Sequence, residues 1–344
     1  MAAGTAELWA EIPVIDFAAF PVGAAALPAS GPTAAQRATA AEIDRVCRVH
    51  GFLKLRNTGV SEAHTAAAFD VARELFALPA AHKAAQLAHH DKAAGTNRGY
   101  FPPDTEALNS ARANDVKEAY NVRRTAMDFR GTPPRFAAEA ASFYERATEL
   151  ADRIMLACAV AFGLPPGFFT ERHVDKSLCT LRLLHYPPVG DAAAPGDEQQ
   201  PRGRVRAGEH TDFGCITLLF VDAAGGPEAA RGLQVRRPGG GDDWLDVDAE
   251  PGTVLVNTGG LLAQWTNDAW IATAHRVVVT PAALALPRYS IALFVDPDED
   301  VLVECLPGFC GPDRPAKYAP ISSKAYLLAK LAEAQRVTSA PPPA

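Results

Sequence analysis

The stretch His210-Thr211-Asp212-Phe213-Gly214-Cys215-Ile216-Thr217-Leu218-Leu219-Phe220-Val221 joins a His-x-Asp pair to an apolar run with the length and β-branched content of a buried strand. In extended backbone, residues two apart point to the same face, so one imidazole and one carboxylate are expected to project together from a rigid element. The same spacing occurs at His89/Asp91 and His173/Asp175. Neither of these leads into an apolar strand, and both read as solvated loop or helix-end residues.

Working outward, the sequence after Pro165 breaks into short β-rich runs at 178–186, 215–221, 233–237, 244–247, 253–257, 276–280 and 288–295, separated by Gly, Pro and Asp turns. Many short strands with turn signals between them predict a barrel or sandwich of the jelly-roll kind. Before them lie a short opening strand at 11–17, a helix from Thr33 with the face Ile43, Val46, Cys47 and His50, a strand at 52–56, and a helix after Ser61. Phe136, Ala140, Phe143, Ala147, Leu150, Ile154 and Ala157 recur in steps of four and three, which predicts one helix from about 136 to 163 backing the main sheet. The segment 191–208 reads as a polar loop and 239–243 as a tight turn. A last helix near 322–333 precedes a Pro-rich tail read as disordered.

The fold class is therefore α+β: a jelly-roll core over 176–300, a helical and lid region over 1–175, and a C-terminal helix and tail over 301–344, forming one structural unit. A net charge of −7 and a pI near 5.7 argue against nucleic acid. The longest apolar stretch, 154–164, falls far short of the roughly 20 residues of a membrane span. The N-terminus shows no leader pattern, and six scattered cysteines read as free thiols, so a cytoplasmic protein is expected, with no obligate protein partner.

His275 opens the run His-Arg-Val-Val-Val-Thr and is the natural third ligand, although taken alone it also fits a hydrogen-bonded core histidine. Two imidazoles and one carboxylate on one face of an octahedral ion leave three positions open, as in non-haem Fe(II) oxygenases. A zinc-water hydrolase could use the same set, but no general base stands out. Arg288-Tyr289-Ser290 then places a guanidinium and a hydroxyl on one strand face, suited to a carboxylate in a buried pocket, or to a structural Asp or Glu.

In these motifs the chain resembles the 2-oxoglutarate- and Fe(II)-dependent dioxygenases of the isopenicillin-N-synthase-like group. Ile12-Pro13-Val14-Ile15-Asp16-Phe17, Gly51-Phe52, Arg98-Gly99-Tyr100, Asp115-Val116-Lys117-Glu118, Tyr186-Pro187-Pro188, Asn257-Thr258-Gly259, His275-Arg276-Val277 and Arg288-Tyr289-Ser290 arrive in the group's order. The resemblance implies a double-stranded β-helix in which His210, Asp212 and His275 bind Fe(II). Arg288, Ser290 and Tyr186 would hold the 2-oxoglutarate cosubstrate, and Phe294 and Tyr120 would touch substrate. O2 would be the second cosubstrate and ascorbate an accessory. The implied reaction oxidises, most simply hydroxylates, a C–H bond of a small metabolite and releases succinate and CO2. An iron oxidase that does without 2-oxoglutarate and a catalytically silent binding protein are the alternatives on the same scaffold. Two departures bear on pocket detail: Leu184-His185-Tyr186-Pro187 replaces the group's Asn-Tyr-Tyr-Pro, and Gly259-Gly260 replaces Gly-Asp.

Overall fold

Strand by strand, alternate residues enter two different cores. In the computed structural model, which describes residues 9–23, 27–90, 97–103, 105, 117–125, 127–188, 205–237 and 241–338, the strands form two principal sheets. The larger contains β1 (Val14–Asp16), β2 (Phe52–Arg56), β3 (Gly99–Phe101), β4 (Glu118–Val122), β5 (Thr180–Tyr186), β7 (Ile216–Val221), β10 (Thr253–Thr258) and β12 (Arg288–Val295), in the order β1-β2-β10-β7-β12-β5-β4-β3. The smaller contains β6 (Val205–His210), β8 (Leu233–Arg236), β9 (Trp244–Asp246) and β11 (His275–Val278), in the order β6-β11-β8-β9. A short pair, β13 (Leu302–Val303) and β14 (Ile321–Ser322), stands apart.

Ile291, Leu293 and Val295 of β12, Val254 and Val256 of β10, and Leu181 and Leu183 of β5 pack with the helices. Their neighbours Ala292, Leu255 and Leu184 join Ala207, Val235, Leu245 and Val277 in a second cluster between the sheets. Parity along β12 therefore puts Arg288 and Ser290 on the inter-sheet face, with Phe294 packed against the same cluster.

The helices expected from the sequence follow their signals, while three short ones, Ala80–Gln86, Pro227–Ala230 and Gly260–Trp265, escape that reading. In α1 (Ala34–Val49), the Thr33 hydroxyl accepts from Gln36 N while the Gln36 side chain accepts from Thr33 N, a reciprocal cap that answers two otherwise unpaired N–H groups. Gly51 follows with φ +63°, where a Cβ would lie 2.1 Å from the Ile271 carbonyl oxygen. Ser61 caps α2 (Glu62–Phe76), and α3 is Ala80–Gln86. The 27-residue α4 (Phe136–Phe162) ends at left-handed Gly163 and packs along the helix-side face of the large sheet, burying the expected stripe from Phe136 to Ala157. After β7 come α5 (Pro227–Ala230), α6 (Gly260–Trp265) and the C-terminal α7 (Ser323–Thr338).

Three strands of the two principal sheets escape the sequence reading, as does the short pair β13 and β14. β3 and β4 carry the large sheet into a stretch expected to be helical and lid-like. β4 is buried at every position, and its polar Glu118 and Asn121 break the two-residue apolar period that would have marked it. β6 occupies the end of the expected polar loop, correcting its boundary at Val205; most of that loop, the Asp115-Val116 pair, residues 239–240 of the expected turn and the Pro-rich tail lie outside the described residues. Because α4 stabilises the sheet through apolar burial, Ile154→Ala is expected to cost about 2–5 kcal/mol. The check is a lower denaturant midpoint with an unchanged slope.

Candidate functional site

His210 is the last residue of β6, in the small sheet, and pairs directly with His275, the first residue of β11. Asp212 stands in the turn that carries the chain across to β7 in the large sheet. The expectation that His210 and Asp212 share one strand face is thus corrected: they converge because the chain changes sheets between them. The turn is held from above by α6, where Gly260 N donates to Asp212 O (2.9 Å) and Leu261 N to Phe213 O (3.0 Å).

His210 Nε2 and His275 Nε2 each lie 3.8 Å from Asp212 Oδ1, and one ligand atom from each of the three residues falls within 4.8 Å of the others. The opposite side of each group is already committed. His210 Nδ1 sits 2.7 Å from the Gly208 carbonyl and His275 Nδ1 3.1 Å from that of Thr273, so both rings donate through Nδ1 and leave Nε2 free to ligate. Asp212 Oδ2 accepts from Thr217 Oγ1 (2.6 Å) and Asn257 Nδ2 (2.7 Å), which leaves Oδ1 toward the rings. Burial, reinforced by His275, lowers His210 to about 4. Burial pushes Asp212 up, but the two histidines and the donors Thr217 and Asn257 outweigh it and hold the carboxyl below its ordinary range. A neutral His210 imidazole beside an ionised Asp212 is the protonation state a divalent ion requires of those two groups. Two nitrogens and one oxygen fit Fe(II), and three protein ligands leave the remaining positions of an octahedral ion to other ligands.

Arg288 and Ser290 lie on the inter-sheet face, each 1 % exposed, with Arg288 Nη1 3.3 Å from Ser290 Oγ. Arg288 Nε and Nη2 are buried without a hydrogen-bond partner, and no acid pairs with the guanidinium among the described residues. The structural Asp or Glu is therefore not found there, and the unanswered donors match a carboxylate. Tyr186 pairs across strands with Arg288, whose guanidinium carbon lies 5.5 Å from its ring centroid.

Tyr120 requires correction. Its register partner is Leu183, so its ring points into the helix-side core, 5.0 Å from Phe136, and its hydroxyl donates to Asp128 O (3.1 Å). The neighbours Lys117, Ala119 and Asn121 take the inter-sheet parity instead. Asn121 Nδ2 donates to Asn97 Oδ1 (2.9 Å), and Asn121 Oδ1 is buried with no partner among the described residues. Lys117 belongs to the quoted Asp115-Val116-Lys117-Glu118 motif, whereas Ala119 and Asn121 gave no sequence signal, and neither did Arg206, which is buried in β6.

His173 is likewise not solvated: it is 2 % exposed, with Nδ1 2.9 Å from Asp296 O, whereas His89 is exposed and Asp91 lies outside the described residues. Burial lowers His173 to about 4 and raises Asp296 to about 7.

Two family profiles cover most of the chain: "non-haem dioxygenase in morphine synthesis N-terminal" matches residues 12–138 and "2OG-Fe(II) oxygenase superfamily" matches residues 177–297. A 2-oxoglutarate-Fe(II) type oxidoreductase of Metarhizium rileyi is 32 % identical over 303 residues, covering 82 % of this chain and 81 % of its own. A proline hydroxylase of Petromyces alliaceus is 31 % identical over 283 residues, covering 78 % and 84 %. Among solved structures, a full-length Neurospora crassa protein crystallised with alpha-KG and thymine superimposes with a TM-score of 0.77 at 32 % identity, over 94 % of this chain and 96 % of its own.

His173 supplies a pH prediction for the fold around the site. The unfolded chain binds its proton below about 6.5 and the native state only below about 4, so its contribution is intact at neutral pH and is lost as pH falls through that window. Asp296 shifts in the opposite sense, so the readout is a difference. The stability of wild type relative to His173→Gln is expected to shrink by on the order of 3 kcal/mol between pH 7 and pH 4. Urea denaturation at both pH values checks this, and a constant difference would contradict it.

Proposed function

The chain belongs to the 2-oxoglutarate–Fe(II) oxygenase superfamily, whose members are oxidoreductases that use Fe(II), 2-oxoglutarate and O2, and on that premise we propose specific roles for its residues. His210, Asp212 and His275 hold the iron, and Arg288 and Ser290 hold the distal carboxylate of 2-oxoglutarate beneath the Tyr186 ring. The observation that carries this reading is the pairing of a three-ligand cluster with a fully buried, unanswered guanidinium on the same inter-sheet face.

Held by these residues, Fe(II) would supply the redox chemistry by which O2 gives one oxygen atom to 2-oxoglutarate, releasing succinate and CO2, and the other to oxidation of a substrate C–H bond. The chain's own contribution is positional. The carbonyls of Gly208 and Thr273 fix the two imidazole rings, and Thr217 and Asn257 fix the carboxylate, so little reorganisation is needed when the metal enters. The apolar cluster between the sheets keeps bulk water away from the reacting centre.

The substrate is proposed to be a small metabolite with an apolar or planar part and a hydrogen-bond donor. Phe294 packs against the inter-sheet cluster, and Phe101 carries the Arg182 guanidinium 4.8 Å from its ring centroid. Asn121 Oδ1 offers the acceptor. The thymine bound in the similar Neurospora crassa structure and the proline of the similar protein named as a proline hydroxylase fall within this range. The proposed setting is the cytoplasm, consistent with six free cysteines; no helix among the described residues is long and apolar enough to cross a membrane.

Purified protein is expected to release succinate only when both Fe(II) and 2-oxoglutarate are supplied, and Asp212→Ala to abolish release. Arg288→Gln is expected to raise the KM for 2-oxoglutarate by about 10–100-fold, the loss of charge-assisted hydrogen bonds of ~1.5–3 kcal/mol. Substrate-dependent O2 uptake without 2-oxoglutarate, or full turnover by Asp212→Ala, would overturn these roles.

A further inference from the structure

Strand β6 does not run in even register with β11. His275 faces His210, Val277 faces Ala207 and Val278 faces Val205, so β6 accommodates extra residues on both sides of Ala207. An extra residue of this kind bends a strand and re-aims a side chain. Arg206 sits at the second shift. Its side chain is 1 % exposed, on a small sheet whose neighbouring Ala207 already packs between the sheets.

Arg206 Nη2 donates to the carbonyls of Ala283 (3.3 Å) and Leu286 (2.6 Å), which belong to the turn leading directly into Arg288. Among the described residues its Nε and Nη1 are buried with no partner, and so are Nε and Nη2 of Arg288. Neither guanidinium pairs with an acid among the described residues. Burial, together with the positive charge of Arg288, lowers Arg206 to about 10, while Tyr186 acts on it in the opposite sense, so the three groups share one neighbourhood. Two neighbouring cations removed from water, with four nitrogens unanswered, call for an anion. Bracing the turn uses only Nη2 of Arg206 and leaves the other two nitrogens unexplained.

We propose that Arg206 is a second binding residue for the distal carboxylate of 2-oxoglutarate, so that this carboxylate is held by two guanidinium groups and the Ser290 hydroxyl. The inference rests on the assignment of Arg288 and Ser290 to the cosubstrate. Its consequence is selectivity: with two cations, the site discriminates strongly against 2-oxo acids that lack the second carboxylate.

The test is calorimetric titration of 2-oxoglutarate and of 2-oxovalerate, which lacks the distal carboxylate, into the full-length Mn(II)-loaded protein. Arg206→Met is expected to weaken 2-oxoglutarate at least about tenfold while changing 2-oxovalerate less than about twofold. Equal weakening of both acids would mean that Arg206 only braces the turn, and unchanged 2-oxoglutarate affinity would mean that it plays no part; either result overturns the proposal. If circular dichroism shows that Arg206→Met does not fold, Arg206→Lys carries the same comparison. Its ratio of the two affinities is expected to fall at least about threefold, and an unchanged ratio overturns the proposal. A wild type that binds both acids equally would remove the assignment of Arg288 and Ser290, and this inference with it.

Discussion

Covering the large sheet on both faces forces every residue of its central strands to one side or the other, and the site depends on how that choice falls. In β12, the odd positions Ile291, Leu293 and Val295 commit to the helices, which leaves Arg288 and Ser290 no alternative to the space between the sheets. A slip of one residue would turn Ile291 and Leu293 toward the space between the sheets and drive the guanidinium into the helix-side core. Because β12 pairs with β5 from Arg288 to Phe294 and with β7 from Ser290 to Val295, the hydrogen-bond ladders on its two sides oppose such a slip. The same parity sends Thr217 of β7 and Asn257 of β10 toward Asp212. The second layer of the metal cluster thus follows from strand register rather than from separate loops.

Electrostatics then divides the interior. The helix-side core also contains a charged group, Glu118, but its carboxylate accepts from Lys83, Tyr100 and His185, and these donors outweigh burial and hold its pKa below the ordinary range. That network is closed: a buried charge is tolerated because every oxygen is answered. Between the sheets the bookkeeping is left open, with Arg288 and Arg206 keeping unpaired donors. A satisfied charge rigidifies a core, whereas an unsatisfied one marks where an oppositely charged ligand contributes most.

The sequence made legible those features in which local pattern and tertiary role coincide. The three-four stripe of α4, the caps at Thr33 and Ser61, the stop at Gly163 and the full span of β12 each follow from periodicity or a single capping residue. His210, Asp212 and His275 could be placed because a polar triplet interrupts apolar strands. Where tertiary partners override local pattern, the signal vanishes. β4 looks polar because Glu118 is neutralised by residues distant in sequence, and Arg206 falls in what reads as a polar loop, although β6 begins at Val205 and a register shift lies beside it. Tyr120 could not be assigned a face without the register of β4 against β5. His173 appeared solvated because its partner, the Asp296 carbonyl, lies 123 residues away.

The two departures from the family pattern have separate structural accounts. Leu184 packs in the inter-sheet cluster, so the wall beside Tyr186 is apolar where the group commonly offers an amide. His185, on the opposite face, is taken up by Glu118 and stacks on Tyr289 at 4.6 Å. Gly260 answers to packing from the C-terminal helix: a Cβ there would lie 2.2 Å from the Tyr326 hydroxyl of α7, which is seated against this backbone. Since Gly260 N also donates to Asp212 O, the side chain that replaces the usual acidic neighbour reaches the metal turn from a helix far along the chain. The position of Asp212 is thereby tied to the docking of α7, so the C-terminal helix is part of the scaffold that sets ligand geometry rather than an appendage to it.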